Sequence, residues 1–276
     1  MFDVKKPLII AEIGWNHMGN MKLAKKMIIE AKKNGADFVK FQTWSVSNLK
    51  NGSWDNDGRR RIYIKAELTK KKHEILKEFC VKKKIKFLTS VFNEKDINWL
   101  SKLSNYAIKI PSHEVYNIEL IKSSLNKFKH VIISTGAAKW YEILKIQKLI
   151  NKLNKQKKVC ILHCVSTYPC ELKNANLKRI NSLKKLFKNV GYSGHCEGIQ
   201  DGVASSSFNI KLIEKHFTIS KKLPGRDNKF AILPNELKEL SNYYNSKILM
   251  EIDRGKNLQK SELDTFKNYR GRWKKN

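Results

Sequence analysis

Lys40 and Lys109 each interrupt a short apolar run, in FVKFQ and AIKIPS, and an ammonium group placed there needs an anion beside it. That anion is either a carboxylate of the protein, which makes the lysine a structural ion pair, or a bound phosphate or carboxylate. Hydroxyls at Ser90, Ser112, Ser134, Ser166 and Ser193 recur at comparable places, and they could supply the directional bonds of an anion site. His195 and His216 end two further runs. One histidine in such a place is more often a hydrogen-bonded core residue, but two that converge can bind one divalent metal. Glu12 closes the apolar stretch LIIAE, where burial could tune its carboxyl for proton transfer or pair it with one of the lysines. Glu114 is a second carboxylate, suited to holding hydroxyl groups. His17, His113 and His163 read as hydrogen-bonded scaffolding.

A regular alternation of short β-rich runs and longer amphipathic ones must position these groups. Strands are predicted over residues 8–13, 38–42, 86–90, 107–110, 130–134, 159–164, 190–193 and 212–216. Helical patterns lie between them, as over 22–33, 70–83, 141–153 and 235–244, with apolar residues three or four apart. Eight βα units predict a (β/α)8 TIM barrel, whose active site lies where strands end and loops begin. The strand exits, taken in order, carry Glu12, Asn16 and His17; Lys40 and Gln42; Ser90; Lys109, Ser112 and Glu114; Ser134; Ser166 and Tyr168; Ser193 and His195; and His216. Glu214 and Asp227 could support the His216 ring, with Glu214 expected to face away from it. Residues 45–66 read as a long loop of the kind that forms lids. One barrel domain over 1–250 and a basic tail over 251–276, packed on the exterior or partly mobile, complete the expected organisation.

Composition narrows the class. The 276 residues are 41% hydrophobic and 10% aromatic, enough for one large core. No apolar stretch approaches the roughly 18 residues that suggest a membrane span. The N-terminus lacks the features of a secretory signal, so a cytoplasmic protein is expected. Cys80, Cys160, Cys164, Cys170 and Cys196 are an odd set that reads as reduced, buried thiols, and C-x3-C-x5-C is poor zinc spacing. The formal charge of +31 suggests polyanion binding, but the lysines are spread over almost every predicted helix with no basic motif, so specific nucleic-acid binding is not expected.

The segments AEIGWNHMGN (11–20), GADFVKFQTW (35–44), IKIPSHE (108–114), VIISTGA (131–137), ILHCVSTYP (161–169), VGYSGH (190–195) and IEKHFT (213–218) resemble, in order, the N-acetylneuraminate (sialic acid) synthase family over roughly residues 5–245. The resemblance implies a barrel that condenses phosphoenolpyruvate with an N-acylated amino sugar, N-acetylmannosamine or a dideoxy diacetamido analogue, giving a nine-carbon ulosonic acid and phosphate. By that likeness Lys40, Gln42, Ser90, Lys109, Ser112, Ser134, Ser166 and Ser193 match positions that hold phosphoenolpyruvate. His195 and His216 match ligands of a divalent metal, Mn2+ first, with Mg2+ or Co2+ as alternatives. Glu12 matches the acid implicated in proton transfer, and Glu114, Tyr168 and Asp227 match positions near the sugar.

The sequence departs from that pattern in four places. Ser90 and Ser166 stand where relatives often have Thr and Asn. Gly194 replaces the usual Asp before the metal histidine, which is expected to remove a carboxylate beside the metal. G-P-D reads Gly225, Arg226, Asp227. Ending at Asn276, the sequence is also expected to lack the antifreeze-like C-terminal domain that in most such synthases crosses a dimer and supplies an arginine to the sugar's acyl group. Arg270 and Arg272, or a separately encoded partner, are the expected substitutes, and a homodimer is a candidate assembly. Alternative readings are a non-catalytic or partner-dependent barrel subunit, or a condensing enzyme acting on an aldose phosphate.

Overall fold

The aliphatic runs fold as eight parallel strands that close into a barrel in chain order, β1 through β8, in a computed structural model that describes residues 1–273. The strands are β1 Leu8–Gly14, β2 Phe38–Thr43, β3 Lys86–Val91, β4 Ala107–Ile110, β5 His130–Ser134, β6 Val159–His163, β7 Val190–Gly194 and β8 Leu212–His216. The helices are α1 Met21–Lys33, α2 Arg59–Ala66, α3 Lys70–Lys82, α4 Ile97–Leu103, α5 Ile118–Lys127, α6 Trp140–Lys152, α7 Arg179–Lys184, α8 Gln200–Ser205 and α9 Pro234–Met250. Side-chain caps start several of them: Asn20, Thr69 and Asn117 accept from Leu23, Lys72 and Leu120, and Pro234 opens α9 where its missing N–H costs nothing.

Side chains alternate across each strand, and this divides the core in two. Outward residues such as Ile9, Ala11, Val39, Ile108, Ile133 and Ile213 pack under the helices. Inward ones, Ile10, Phe38, Leu88, Ala107, Ile132, Leu162 and Leu212, join Phe2 in a second cluster inside the barrel. That inner layer fills the lower half, so this end is packed and the polar groups above it have a solid floor. Gly191 lies where there is no room for a side chain: a Cβ would stand 2.5 Å from Leu162 Cδ2.

The long connection after β2 is not an open loop, since it ends in α2, and its short 3-10 turns and this helix fold over the strand ends. The tail from 251 to 273 is exposed at every residue rather than packed on the barrel. Among the described residues no helix is long and apolar enough to cross a membrane.

Candidate active site

Two positions above six of the floor residues the inward side chain becomes polar: Ile10 leads to Glu12, Phe38 to Lys40, Leu88 to Ser90, Ala107 to Lys109, Ile132 to Ser134, and Leu212 to Glu214. Strand register sets these groups side by side. Glu12 pairs with Lys40 on one flank and His216 on the other, Gln42 with Ser90, Ser90 with Lys109, and Ser193 with Glu214. They line a cavity of about 530 Å³ at the carboxyl ends of the strands.

Glu214 is the hub of the floor charges. Its Oε2 lies 2.6 Å from Lys40 Nζ and its Oε1 lies 3.7 Å from Lys109 Nζ, while Ser193 donates to Oε1 at 2.9 Å. Lys109 also donates to Ser134 Oγ at 2.6 Å, and both lysines are only 2% exposed. Burial alone would raise the Glu214 pKa, but Lys109 and Lys40 outweigh it and hold this carboxyl well below its ordinary range. Burial would likewise lower Lys40, yet Glu12 and Glu214 outweigh that and raise it. Lys109, with less compensation, is pushed by burial down to about 8.

Glu12 is different in kind. Burial raises its pKa to about 7 against the pull of Lys40, whose Nζ is 3.6 Å from Oε2. Gln42 donates to its Oε1 at 2.9 Å, and Oε2 is buried with no hydrogen-bond partner. Two ammonium groups therefore face one firmly ionised carboxylate and one carboxyl poised near neutrality. The surplus positive charge suits an anion of more than one charge. Gly14, at φ +54, lets β1 turn here; a Cβ would already stand 3.2 Å from both Glu12 Oε1 and Gln42 Nε2.

The two imidazoles converge beside this floor, with ring centroids 5.6 Å apart. His195 Nδ1 bonds the Val165 carbonyl at 2.7 Å, a partner that, as an acceptor, leaves Nε2 as the lone-pair nitrogen. His216 Nδ1 is buried without a hydrogen-bond partner, 3.5 Å from Asp227 Oδ2. Burial lowers both rings, His195 to about 4, so they stand neutral as metal binding requires. Among the described residues no three His, Cys, Asp or Glu side chains form a complete ligand set. Two neutral imidazoles with an orphaned nitrogen and a nearby carboxylate nevertheless fit a divalent ion whose remaining positions go to substrate or water. Tyr168 lies over them, 4.3 Å from the His195 ring. Asp227, raised by burial to about 6, accepts from the Trp15 indole, and Trp15 in turn stacks on Tyr63 at 5.1 Å.

Of the residues singled out by sequence, Glu12, Lys40, Gln42, Ser90, Lys109, Ser112, Ser134, Ser193, Glu114, Tyr168, Asp227, His195 and His216 all line the cavity. Ser166 does not. Its buried hydroxyl, without a hydrogen-bond partner, lies beside Gly136, where a Cβ would also meet the Cys164 thiol and the Ser112 hydroxyl. Glu214 does not face away from His216, because residues two apart on a strand share a face, and it enters the cavity with it. Gly194 does not face the imidazoles: a Cβ there would project to the outer side of β7, 2.2 Å from Asp201 Oδ2. Arg270 and Arg272 stack over Phe266 and Tyr269 on the exposed tail, and the arginines on the cavity wall are Arg59 and Arg226. His17 accepts from the Gly19 amide and His163 bonds the Ala175 carbonyl, whereas His113 reaches the wall. Sequence reasoning missed Trp15, Trp44, Ile62, Tyr63 and Arg59; the last three are carried in by α2.

The family model described as the NeuB family matches residues 27–251. An N,N'-diacetyllegionaminic acid synthase of Campylobacter jejuni is 38% identical over 251 residues, 86% of this chain and 75% of that one. A protein of the same name from Legionella pneumophila is 34% identical over 249 residues, 84% and 69% of the two chains. The crystal structure of an N-acetylneuraminic acid synthetase from Leptospira borgpetersenii superposes with a TM-score of 0.84 at 32% identity, covering 95% of this chain and 91% of that one. With the barrel, the ordered strand-end residues and these matches in agreement, the chain belongs to the NeuB family.

Proposed function

We propose that this protein condenses phosphoenolpyruvate with an N-acylated amino sugar, forming a nine-carbon sialic acid-like ulosonic acid and phosphate. The observation that carries the reading is the floor itself, where buried Lys40 and Lys109 outnumber the one firmly ionised carboxylate and adjoin two neutral imidazoles. The two relatives named for N,N'-diacetyllegionaminic acid support a dideoxy diacetamido acceptor first and N-acetylmannosamine second.

Lys40 and Lys109 hold the phosphate and carboxylate of phosphoenolpyruvate, with hydroxyls from Ser90, Ser112, Ser134 and Ser193 and the amide of Gln42 fixing its orientation. Ser166, whose buried hydroxyl has no partner and lies near the Ser112 hydroxyl, joins this phosphoenolpyruvate-holding set. Glu114, Tyr168 and Asp227 orient the open-chain sugar so that its aldehyde meets carbon three of phosphoenolpyruvate. His195 and His216 would hold a divalent ion, Mn2+ first, which when bound would supply Lewis-acid polarisation of the aldehyde. Attack leaves an oxocarbenium-like carbon two, to which water adds, and the resulting hemiketal phosphate loses phosphate. Glu12, with an unpartnered oxygen and a pKa near neutrality, carries the proton in these steps. Residues 1–250 form the catalytic barrel and 251–276 a basic tail, of which 274–276 lie outside the described residues; the reaction is cytoplasmic, and a homodimer or a separate antifreeze-like domain is the partner to seek.

The test is phosphate release from phosphoenolpyruvate with Mn2+ across N-acetylmannosamine, its dideoxy diacetamido analogues and arabinose 5-phosphate. Release that requires an N-acyl sugar and disappears in His195→Ala and His216→Ala is expected. Release with arabinose 5-phosphate alone would replace the acceptor, and a folded, metal-loaded protein silent with every sugar would sink the proposal.

A further inference from the structure

The outer side of β7 and β8 carries a buried ion pair that the cavity does not use. Lys215 alternates with Glu214 and His216, so its side chain leaves the barrel on the helix side. Its Nζ lies 2.8 and 3.1 Å from the two carboxylate oxygens of Asp201, at the start of α8, and 2.7 Å from the Cys196 carbonyl. The two side chains are 2% and 0% exposed. Asp201 accepts in addition from the Tyr192 hydroxyl at 3.0 Å and the Gly202 amide at 2.9 Å. Every proton of the ammonium thus has an acceptor, and the pair is fully satisfied in a place where hydrophobic packing could have served stability as well.

What the pair joins explains its presence. Cys196 follows His195, and Lys215 precedes His216, so one ammonium ties the backbone leaving the first imidazole to the strand bearing the second. Gly194 makes this reach available: a Cβ there would stand 2.2 Å from Asp201 Oδ2 and 2.8 Å from Tyr192 Cε1. A side chain at 194 and the carboxylate of Asp201 therefore compete for one slot, and the missing side chain is what admits Asp201.

We propose that Asp201, reaching through the gap at Gly194 to Lys215, is a positioning residue that sets the relative placement of the His195 and His216 imidazoles and thereby divalent-ion affinity. The metal half of this rests on those two residues being the ligands. Ligands need to be held within about 0.5 Å, and losing an outer-shell support costs about 10–100-fold in metal affinity.

The full-length protein is titrated with Mn2+ by calorimetry, and the imidazole ¹⁵N resonances of His195 and His216 are recorded without metal. Asp201→Asn, which keeps shape and removes charge, is expected to raise the Mn2+ Kd by about 10-fold or more and to shift both sets of resonances while unfolding stays cooperative. Gly194→Asp with Asp201→Ala returns a carboxylate to the slot and is expected to recover most of the affinity. Gly194→Asp alone, which crowds two carboxylates into one slot, loses it. Parent-like affinity and unshifted resonances in Asp201→Asn overturn the proposal, as does a folded relocation variant that binds no better than Asp201→Ala. If the parent itself binds no Mn2+, the ligand assignment fails, and the metal-free resonances alone decide the positioning role.

Discussion

Replacing Glu12 by Gln keeps the shape of the side chain and the Oε1 acceptor for Gln42, and removes only the ionisation. Moving a carboxyl from its ordinary 4.5 to about 7 corresponds to about 3 kcal/mol, at about 1.4 kcal/mol per tenfold change. The sign follows from burial raising the folded-state pKa. Below pH 4.5 the carboxyl is protonated in both folded and unfolded chains. As pH rises from there to about 7 the unfolded chain gives up its proton first, so stability falls until the folded protein also ionises. Metal-free wild type should therefore lose about 3 kcal/mol relative to Glu12→Gln between pH 4.5 and 8.5, a change in Tm difference of roughly 6 °C for a chain of this size. Urea and thermal unfolding in EDTA at the two pH values measure it. A stability difference flat with pH would refute the buried, near-neutral carboxyl. With substrates, kcat should fall by about 10²–10⁴ with a smaller change in the KM for phosphoenolpyruvate, and retained kcat would remove Glu12 from proton transfer.

Lys109, lowered by burial to about 8, should take up a proton when phosphoenolpyruvate binds at pH 9, and affinity should decline above pH 8 as the empty site loses its second ammonium. Calorimetry in buffers of different ionisation enthalpy reads this uptake, which must vanish in Lys109→Met; persistence there would assign the proton elsewhere. Phe38, fully buried in the barrel floor, should cost about 3–5 kcal/mol on replacement by Ala, seen as a lower urea midpoint at constant slope, and a loss under 1 kcal/mol would mean the floor is not packed as described.

The barrel was legible because parallel strands buried on both faces read as aliphatic runs; β4, β5 and β8 begin and end where their sequences predict. Their polar exits gave most of the cavity wall, since a charged group at the end of a buried run needs a reason to be there. What escaped was set by long-range geometry. Arg59–Ala66, RRRIYIKA, has too little amphipathic contrast to announce a helix, and that helix delivers Ile62 and Tyr63 to the cavity. Trp15 meets Asp227 across 212 positions of chain, which no local spacing encodes. Glu214 and Lys215 were accessible to reasoning: alternation puts one inside with His216 and the other outside, where a buried lysine demands an acid. That acid, Asp201, is on another element, and the glycine that admits it looked instead like a loss from the metal site.

The packed floor of Ile10, Phe38, Leu88, Ile132 and Leu212 closes the charged chamber at its lower end, so the chamber opens at the carboxyl ends of the strands. Under the proposed reading the smaller, anionic guest settles deepest, against Lys40 and Lys109, and the sugar stands between it and the exit. A vessel of that shape imposes a queue. The three-carbon donor must arrive before the sugar, and after bond formation the long ulosonic acid has to vacate before the inorganic anion can escape, so the architecture of the stopper dictates the order of traffic through the enzyme.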